Sequence, residues 1–245
     1  MKKTISLLAL GSLLSFSADA QLKDLLNKAK EQLPVKTGTG TGSNLSNTEI
    51  VSGLRQALEL GSKNASGMLS KKDGYFGNAV VKILLPPEAR KVETVLRQIG
   101  MGHLADETIL SMNRAAEDAA QEAAPIFLNA IRTMSIQDGV SILRGGKGAA
   151  TNYLKRRTTV ELTNAFRPVI ENSLNKMNVA GYWNKTFSTY NRLPTTRQAI
   201  NPDLAGYVTE RALAGLFLMI AEEENKIRTD PGARVTDLLK KVFGG

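Results

Sequence analysis

Residues 213–221, Leu-Ala-Gly-Leu-Phe-Leu-Met-Ile-Ala, are apolar on every side of a helix apart from Gly215. A helix lying on a protein surface needs a polar face, so one that is apolar all round must be enclosed by other elements. Nine residues are too few to cross lipid, which takes about 20. The run therefore reads as the hub of a bundle, and it predicts that other helices wrap it. Alternating strand patterns bounded by hairpin signals are missing from the sequence, which leaves little to build a sheet from. The expected fold is all-α: a single multi-helix bundle around a C-terminal hub helix at about residues 204–228.

The wrapping helices are legible from three-to-four-residue spacing and from their stop signals. Ser46-Asn47-Thr48-Glu49 has the form of a capping box, in which serine and glutamate side chains satisfy free amides at a helix start. Val51, Leu54, Leu58 and Leu69 follow at helical spacing, up to a break around Lys72-Asp73-Gly74. Residues 78–85, rich in Val and Ile, are the one place where a strand is arguable, and Pro86-Pro87 stops it. Pro87-Glu88 opens a helix reaching Gly100, since proline is welcome in a first helical turn. From His103 to Met134 the pattern predicts one long helix, bent at Pro125 where a backbone donor is missing. Its alanine pairs at 115/116, 119/120 and 123/124 form a smooth ridge along which a neighbouring helix can approach closely. Ser135 with Asp138 restarts a helix that Gly145-Gly146 ends. Further helices fit 149–176, with a break near Thr158, then 180–191 and 204–228, stopped by Asp230-Pro231-Gly232. A last helix carries Val235, Leu238, Leu239 and Val242 on one face.

The N-terminal region reads differently. Met1-Lys2-Lys3, an apolar stretch of about ten residues and Ala18-Asp19-Ala20 have the order of a secretory signal peptide cleaved after Ala20. The expected location is thus outside the cytoplasm, in the periplasm. Leu22, Leu25, Leu26, Ala29 and Leu33 then form an amphipathic helix over residues 21–33. It is tethered by the Gly/Thr-rich residues 34–45, and the helical domain is expected over residues 46–245. Of 32 basic and 23 acidic side chains, two lysines and one aspartate fall in the leader, leaving 30 and 22 and a net charge of +8. That excess favours anionic surroundings without dictating a fold, and no specific nucleic-acid binding is expected of it. The chain has no cysteine, which an exported domain of this size tolerates because its core is large enough without cross-links. No transmembrane segment is expected in the processed chain.

Several phrases resemble a bacterial family of exported helical proteins defined only as a domain of unknown function. They are Met112-Asn113-Arg114-Ala115-Ala116-Glu117; Ala130-Ile131-Arg132 through Asp138 to Ile142-Leu143-Arg144-Gly145; and Ala149-Ala150-Thr151-Asn152-Tyr153. The ending adds residues 215–224, Ile227-Arg228, Pro231, Arg234 and residues 238–244. The resemblance runs from about Ser46 to Gly244. It implies an exported helical domain and supplies no activity, so no catalytic residue is carried over.

Candidate sites are few. A carboxylate-bridged metal bundle needs Glu-x-x-His repeats, whereas His103 is the single histidine. Zinc clusters need cysteine, and the G-x-S-x-G elbow of hydrolases is missing. Neither a metal nor a cofactor is expected, and the reading leans away from an enzyme. Arg144-Gly145-Gly146-Lys147-Gly148 lacks the spacing of a nucleotide loop, and its glycines are those a helix ending uses; Lys155-Arg156-Arg157 adds a charge run nearby. Tyr182, Trp183, Phe187 and Tyr190 place four of the thirteen aromatics within nine residues. They read as core or as one wall of a groove, with Arg192 beyond them.

Glu223 falls on the same helical face as Leu216, Ile220 and Ile227. A carboxylate there is desolvated and needs a compensating cation, for which Arg114, Arg132, Arg144 and Arg228 are the candidates. Asn113 and Glu117 flank the apolar stripe of the long helix and are expected in the same polar cluster, with Asp138. Such a cluster either fixes helix register or binds something. The reading that follows is a non-enzymatic binding or scaffolding module for an anionic or lipid-like ligand, held between the aromatic wall and arginines near Arg144 and Arg192. The alternatives are an envelope enzyme using Glu223 with an arginine, and a peripheral protein lying on anionic lipid through residues 22–33.

Overall fold

A computed structural model describes residues 46–192 and 199–243, apart from the side chains of Thr186, Thr189 and Tyr190. The predicted leader, amphipathic helix and linker lie outside the described residues. The elements are α1 (Asn47–Leu69), α2 (Arg90–Gln98), α3 (Gly102–Ala120), α4 (Ala123–Arg132), α5 (Ile136–Arg144), α6 (Ala149–Lys176), α7 (Val179–Tyr190), α8 (Leu204–Thr229) and α9 (Asp237–Phe243). Short 3-10 turns at Pro87–Ala89 and Pro231–Ala233 precede α2 and α9. The described residues contain no strand.

The hub is α8. It packs against α6, α1, α3 and α7, and buries Leu204, Val208, Ala212, Leu216, Phe217 and Ile220 among others. Its enclosure is not complete: Ala214 is exposed, and Leu218 keeps 42% of its surface. By length and composition α8 also suits a membrane span, alone among the described residues. Here its apolar surface is turned on neighbouring helices instead. The alanine ridge works as expected, with Ala115, Ala116, Ala119, Ala120 and Ala123 fully buried where α3 and α4 meet α6.

The pattern from His103 to Met134 is two helices rather than one bent helix. Gln121-Glu122 separates α3 from α4, one turn before Pro125. A proline ring clashes with the carbonyl four residues back, which is that of Gln121, so the ladder ends there. Pro125 then sits in the first turn of α4, where its missing donor is harmless. Conversely, α6 runs unbroken through Thr158, whose buried hydroxyl donates to the Leu154 carbonyl at 2.7 Å. The predicted capping box of Ser46 with Glu49 is present on α1, and Ser135 with Asp138, expected to restart a helix, forms a second one on α5.

Residues 78–81 form a turn, in which the amides of Val81 and Lys82 donate to the Asn78 carbonyl, and residues 82–85 continue outside any helix. Val81, Ile83 and Leu85 point inward while Leu84 is half exposed, which is strand periodicity. No second strand pairs with them among the described residues; Asn113 of α3 and the Tyr207 hydroxyl of α8, which donates to the Leu84 carbonyl at 2.9 Å, supply hydrogen bonds instead. Just upstream, Tyr75 is fully buried and its hydroxyl donates to the Ala212 carbonyl of α8 at 2.8 Å. A β-carbon at Gly215 would come within 3.0 Å of the Tyr75 ring and 3.2 Å of Val81. The one interruption in the apolar hub is thus the notch that admits this loop.

Burial, reinforced by the Glu117 charge, drives the Tyr75 phenol well above its ordinary value near 10. The folded state favours the neutral phenol, whereas the unfolded chain ionises it at about pH 10. The resulting stability is intact below that pH and is lost as pH rises past it, at about 1.4 kcal/mol per pH unit per proton. Denaturation midpoints measured between pH 9 and 11 should therefore fall, and Tyr75→Phe should flatten the fall. Tyr153 and Tyr207 are shifted the same way by burial, so part of the slope remains. An unchanged slope in Tyr75→Phe would refute the assignment.

Candidate functional site

The predicted polar cluster is three separate clusters. In the first, Asn113 and Glu117, one turn apart on α3, clamp the backbone of the 70–86 loop. Asn113 is fully buried; its Oδ1 accepts from Ile83 N at 2.8 Å, and its Nδ2 donates to the carbonyls of Ile83 at 2.8 Å and Ile109 at 2.7 Å. The amide stands in for the missing partner strand, since one side chain offers both a donor and an acceptor. Glu117 Oε1 accepts from the backbone amides of Tyr75 (3.1 Å) and Phe76 (3.0 Å), while Oε2 faces Arg114 at 2.5 Å. Arg114 in turn reaches Asp73 at 2.7 Å, a residue in the left-handed region with φ 68°.

The second cluster centres on α8. Glu223 is buried, as its helical face predicts, yet no arginine reaches it. Its carboxylate accepts from Asn64 Nδ2 of α1 at 3.0 Å and from Lys226 Nζ at 2.6 Å. The adjacent Glu224 takes the arginine: Arg228 Nε donates to it at 3.0 Å and Nη2 to the Ile142 carbonyl at 3.1 Å. Glu224 also accepts from Ala150 N, Thr151 N and Thr151 Oγ1 at 3.2, 3.0 and 2.8 Å. The cause is local. Gly148, with no side chain, is the N-cap of α6, so the free amides of that helix need an acceptor from elsewhere. Glu224 of α8 provides it across the core.

The third group stays apart from both. Asp138 caps α5 through Ser135, whose side chain and backbone hydrogen bonds hold its carboxyl below the usual range. Arg132 and Arg144 are exposed at the ends of α4 and α5, and neither joins Glu223.

The aromatic wall faces a groove of about 500 Å³ between α2, the start of α3 and α7. Trp183 and Phe187 line it with ring centroids 4.4 Å apart. Trp183 is nearly buried and its Nε1 donates to the Asn201 carbonyl at 3.0 Å, which fixes the indole. Tyr182 also lines the groove and is 73% exposed. The side chain of Tyr190 lies outside the described residues, and Arg192 is exposed beyond α7 without lining the groove. Opposite the aromatics stand Val92 and Leu96 of α2 and Leu104 of α3. Helix α2 buries no residue fully, although Val92, Val95, Leu96 and Ile99 follow the spacing of an apolar face. Arg97 bridges to Asp106 at 2.6 Å, which straps α2 to α3, and to Glu93 at 2.8 Å one turn back on α2 itself. The polar groups of the lining include Glu93, Glu107 and Thr108.

Arginine and aromatics are therefore not on one groove. Met177, just past the C-terminal end of α6, touches the aromatic groove, whereas Arg144 precedes its N-terminal end. With 28 residues in α6 the two lie about 40 Å apart along the helix axis, at 1.5 Å per residue.

A family model described as protein of unknown function (DUF4197) matches residues 44–244. The chain belongs to this family. No curated protein and no solved structure matches it. The family description carries no activity.

Sequence reasoning missed Glu224 and chose its neighbour. Two signals in the DUF4197 chain point to it: the i, i+4 spacing of Glu224 and Arg228, and the glycine where α6 needs a cap. It also missed α2 as a groove wall, because α2 reads as one more core helix until its apolar face is seen uncovered.

Proposed function

We propose that this protein is a non-enzymatic module, exported to the periplasm, that holds the aliphatic chain of an amphiphile in the groove between α2, α3 and α7. The uncovered apolar face of α2 carries the reading. Val92, which lines a 500 Å³ groove with aromatic walls, is 36% exposed, and Val95 and Ile99, which follow on the same apolar spacing outside the lining, are 53 and 61% exposed. Ligand pockets of about 300–1,000 Å³ lined by apolar and aromatic side chains with a few polar groups suit such a chain. Covering this surface contributes roughly 25 cal/mol per Å² of apolar area removed from water. The acidic groups of the lining, Glu93 and Glu107, disfavour an anionic head within the groove, so the head of the ligand is neutral or cationic, or projects outward.

Trp183 is the only tryptophan in the chain and stands in the groove wall, which makes it a built-in reporter. Titration of the full chain with a neutral alkyl amphiphile below its micelle concentration should shift Trp183 emission with saturation. Leu96→Glu should weaken binding at least tenfold, since it places a charge against the chain. Emission that stays unchanged up to the solubility limit, together with no lipid-like molecule in native mass spectra of the purified protein, would rule the reading out.

A further inference from the structure

A second cavity, of about 280 Å³, opens between α5 and the first turns of α6; its lining includes Ser141, Lys147, Asn152 and Arg156. It lies at the end of α6 remote from the aromatic groove. Between residues 139 and 160 the sequence carries Arg144, Lys147, Lys155, Arg156 and Arg157 and no acidic side chain. Among the described residues, Arg144, Lys147, Lys155 and Arg156 take part in no salt bridge. Elsewhere, Arg114 pairs with Asp73 and Glu117, Arg228 with Glu224 and Lys226 with Glu223, while Arg55 and the buried Arg234 donate to backbone carbonyls.

The one acid on the wall, Asp138, accepts from Ser135 N at 3.0 Å and Oγ at 2.7 Å as the cap of α5, and its charge is offset by Arg156 and Arg157 nearby, which leaves Lys147 as the added positive charge. Gly146 and Gly148, with φ of 69° and 81°, take left-handed conformations that favour glycine. They turn the chain so that Lys147 comes to the cavity. The free amides of α6 do not contribute, because Glu224 holds those of Ala150 and Thr151 and the Gly148 carbonyl holds that of Asn152. Recognition there falls to side chains.

We infer that this cavity is an anion site for a phosphate ester, with Lys147 and Arg156 supplying charge and Asn152 and Ser141 supplying hydrogen-bond donors. Arginine and lysine beside neutral donors are the chemistry that phosphate oxygens select. The volume is near the low end of ligand pockets, about 300 Å³, which suits a headgroup rather than a large metabolite. A soluble phosphate ester and a phospholipid headgroup share this chemistry, and the test separates the two.

Full-length protein at low salt is titrated with glycerol phosphate by calorimetry, and in parallel with vesicles of phosphatidylglycerol or of phosphatidylcholine by co-sedimentation. The same titrations are run on Lys147→Gln/Arg156→Gln and, as a control for the aromatic groove, on Leu96→Glu. Saturable glycerol phosphate binding that drops at least tenfold in the double variant identifies a soluble ester. Preference for phosphatidylglycerol that is lost in the double variant and kept in Leu96→Glu identifies a lipid headgroup. Binding in neither arm, or binding that the double variant leaves unchanged while its melting temperature matches the parent, overturns the assignment. Because Leu96→Glu reports on the aromatic groove alone, failure of one site is distinguishable from failure of the other.

Discussion

Glu224→Ala is expected to lower the unfolding free energy by about 3–5 kcal/mol, the range found when one member of a buried, hydrogen-bonded ion pair is removed. Three donors of α6, the amides of Ala150 and Thr151 and the Thr151 hydroxyl, lose their acceptor together with Arg228. Glu224 is 8% exposed, so water reaches the vacated position poorly. For a domain of this size such a loss corresponds to a fall in melting temperature of roughly 10 °C. Glu224→Gln keeps an acceptor for the amides and should cost less than the alanine. The Glu224→Ala/Arg228→Ala double variant should be less destabilised than the two single losses added, because the orphaned cation is gone. Thermal unfolding with the four members of the cycle measures this. Additive losses would show that the two side chains do not act as a pair, and a Glu224→Ala loss below 1 kcal/mol would show that α6 is capped in another way.

The second large effect is expected at Glu117→Ala. Its carboxylate is 3% exposed and holds the amides of Tyr75 and Phe76, which position the loop that drives Tyr75 into the notch at Gly215. Removing it strands two amides and leaves Arg114 with Asp73 alone, at a cost of about 3 kcal/mol. The effect should be regional before it is global: hydrogen exchange at Tyr75, Phe76 and Ile83 should accelerate while the core of α8 stays protected. Arg114→Ala should do less harm, since that side chain is 26% exposed and the loop amides keep their acceptor. Uniform acceleration across the whole chain would argue against a local clamp.

Most of the helices were legible because their signals are local. Capping at Ser46 and Ser135, the stop at Asp230-Pro231-Gly232 and the bounds of α6 and α8 follow from residues within a turn of each boundary. The apparent strand at residues 78–85 shows the limit of that logic. Its alternation of Val81, Ile83 and Leu85 is real, but what pairs with it is the side chain of Asn113, thirty residues after Ile83. Spacing along the chain does not announce such a partner. The polar cluster failed similarly: Glu223 was correctly placed on a buried face, while the choice of cation depended on which helix ends lie opposite.

The sequence by itself determined that the chain is helical, that residues 204–228 form its hub and that charged groups are buried around that hub. Helical periodicity and caps arise from interactions within about four residues, so they are written in the order of the side chains. Only the tertiary structure decided that Glu224 rather than Glu223 bridges two helices, that the basic turn and the aromatic wall lie at opposite ends of α6, and that α2 leaves its apolar face uncovered. Those outcomes depend on which helices the hub brings side by side, and the packing of distant surfaces is a property of the assembled core that no local spacing encodes.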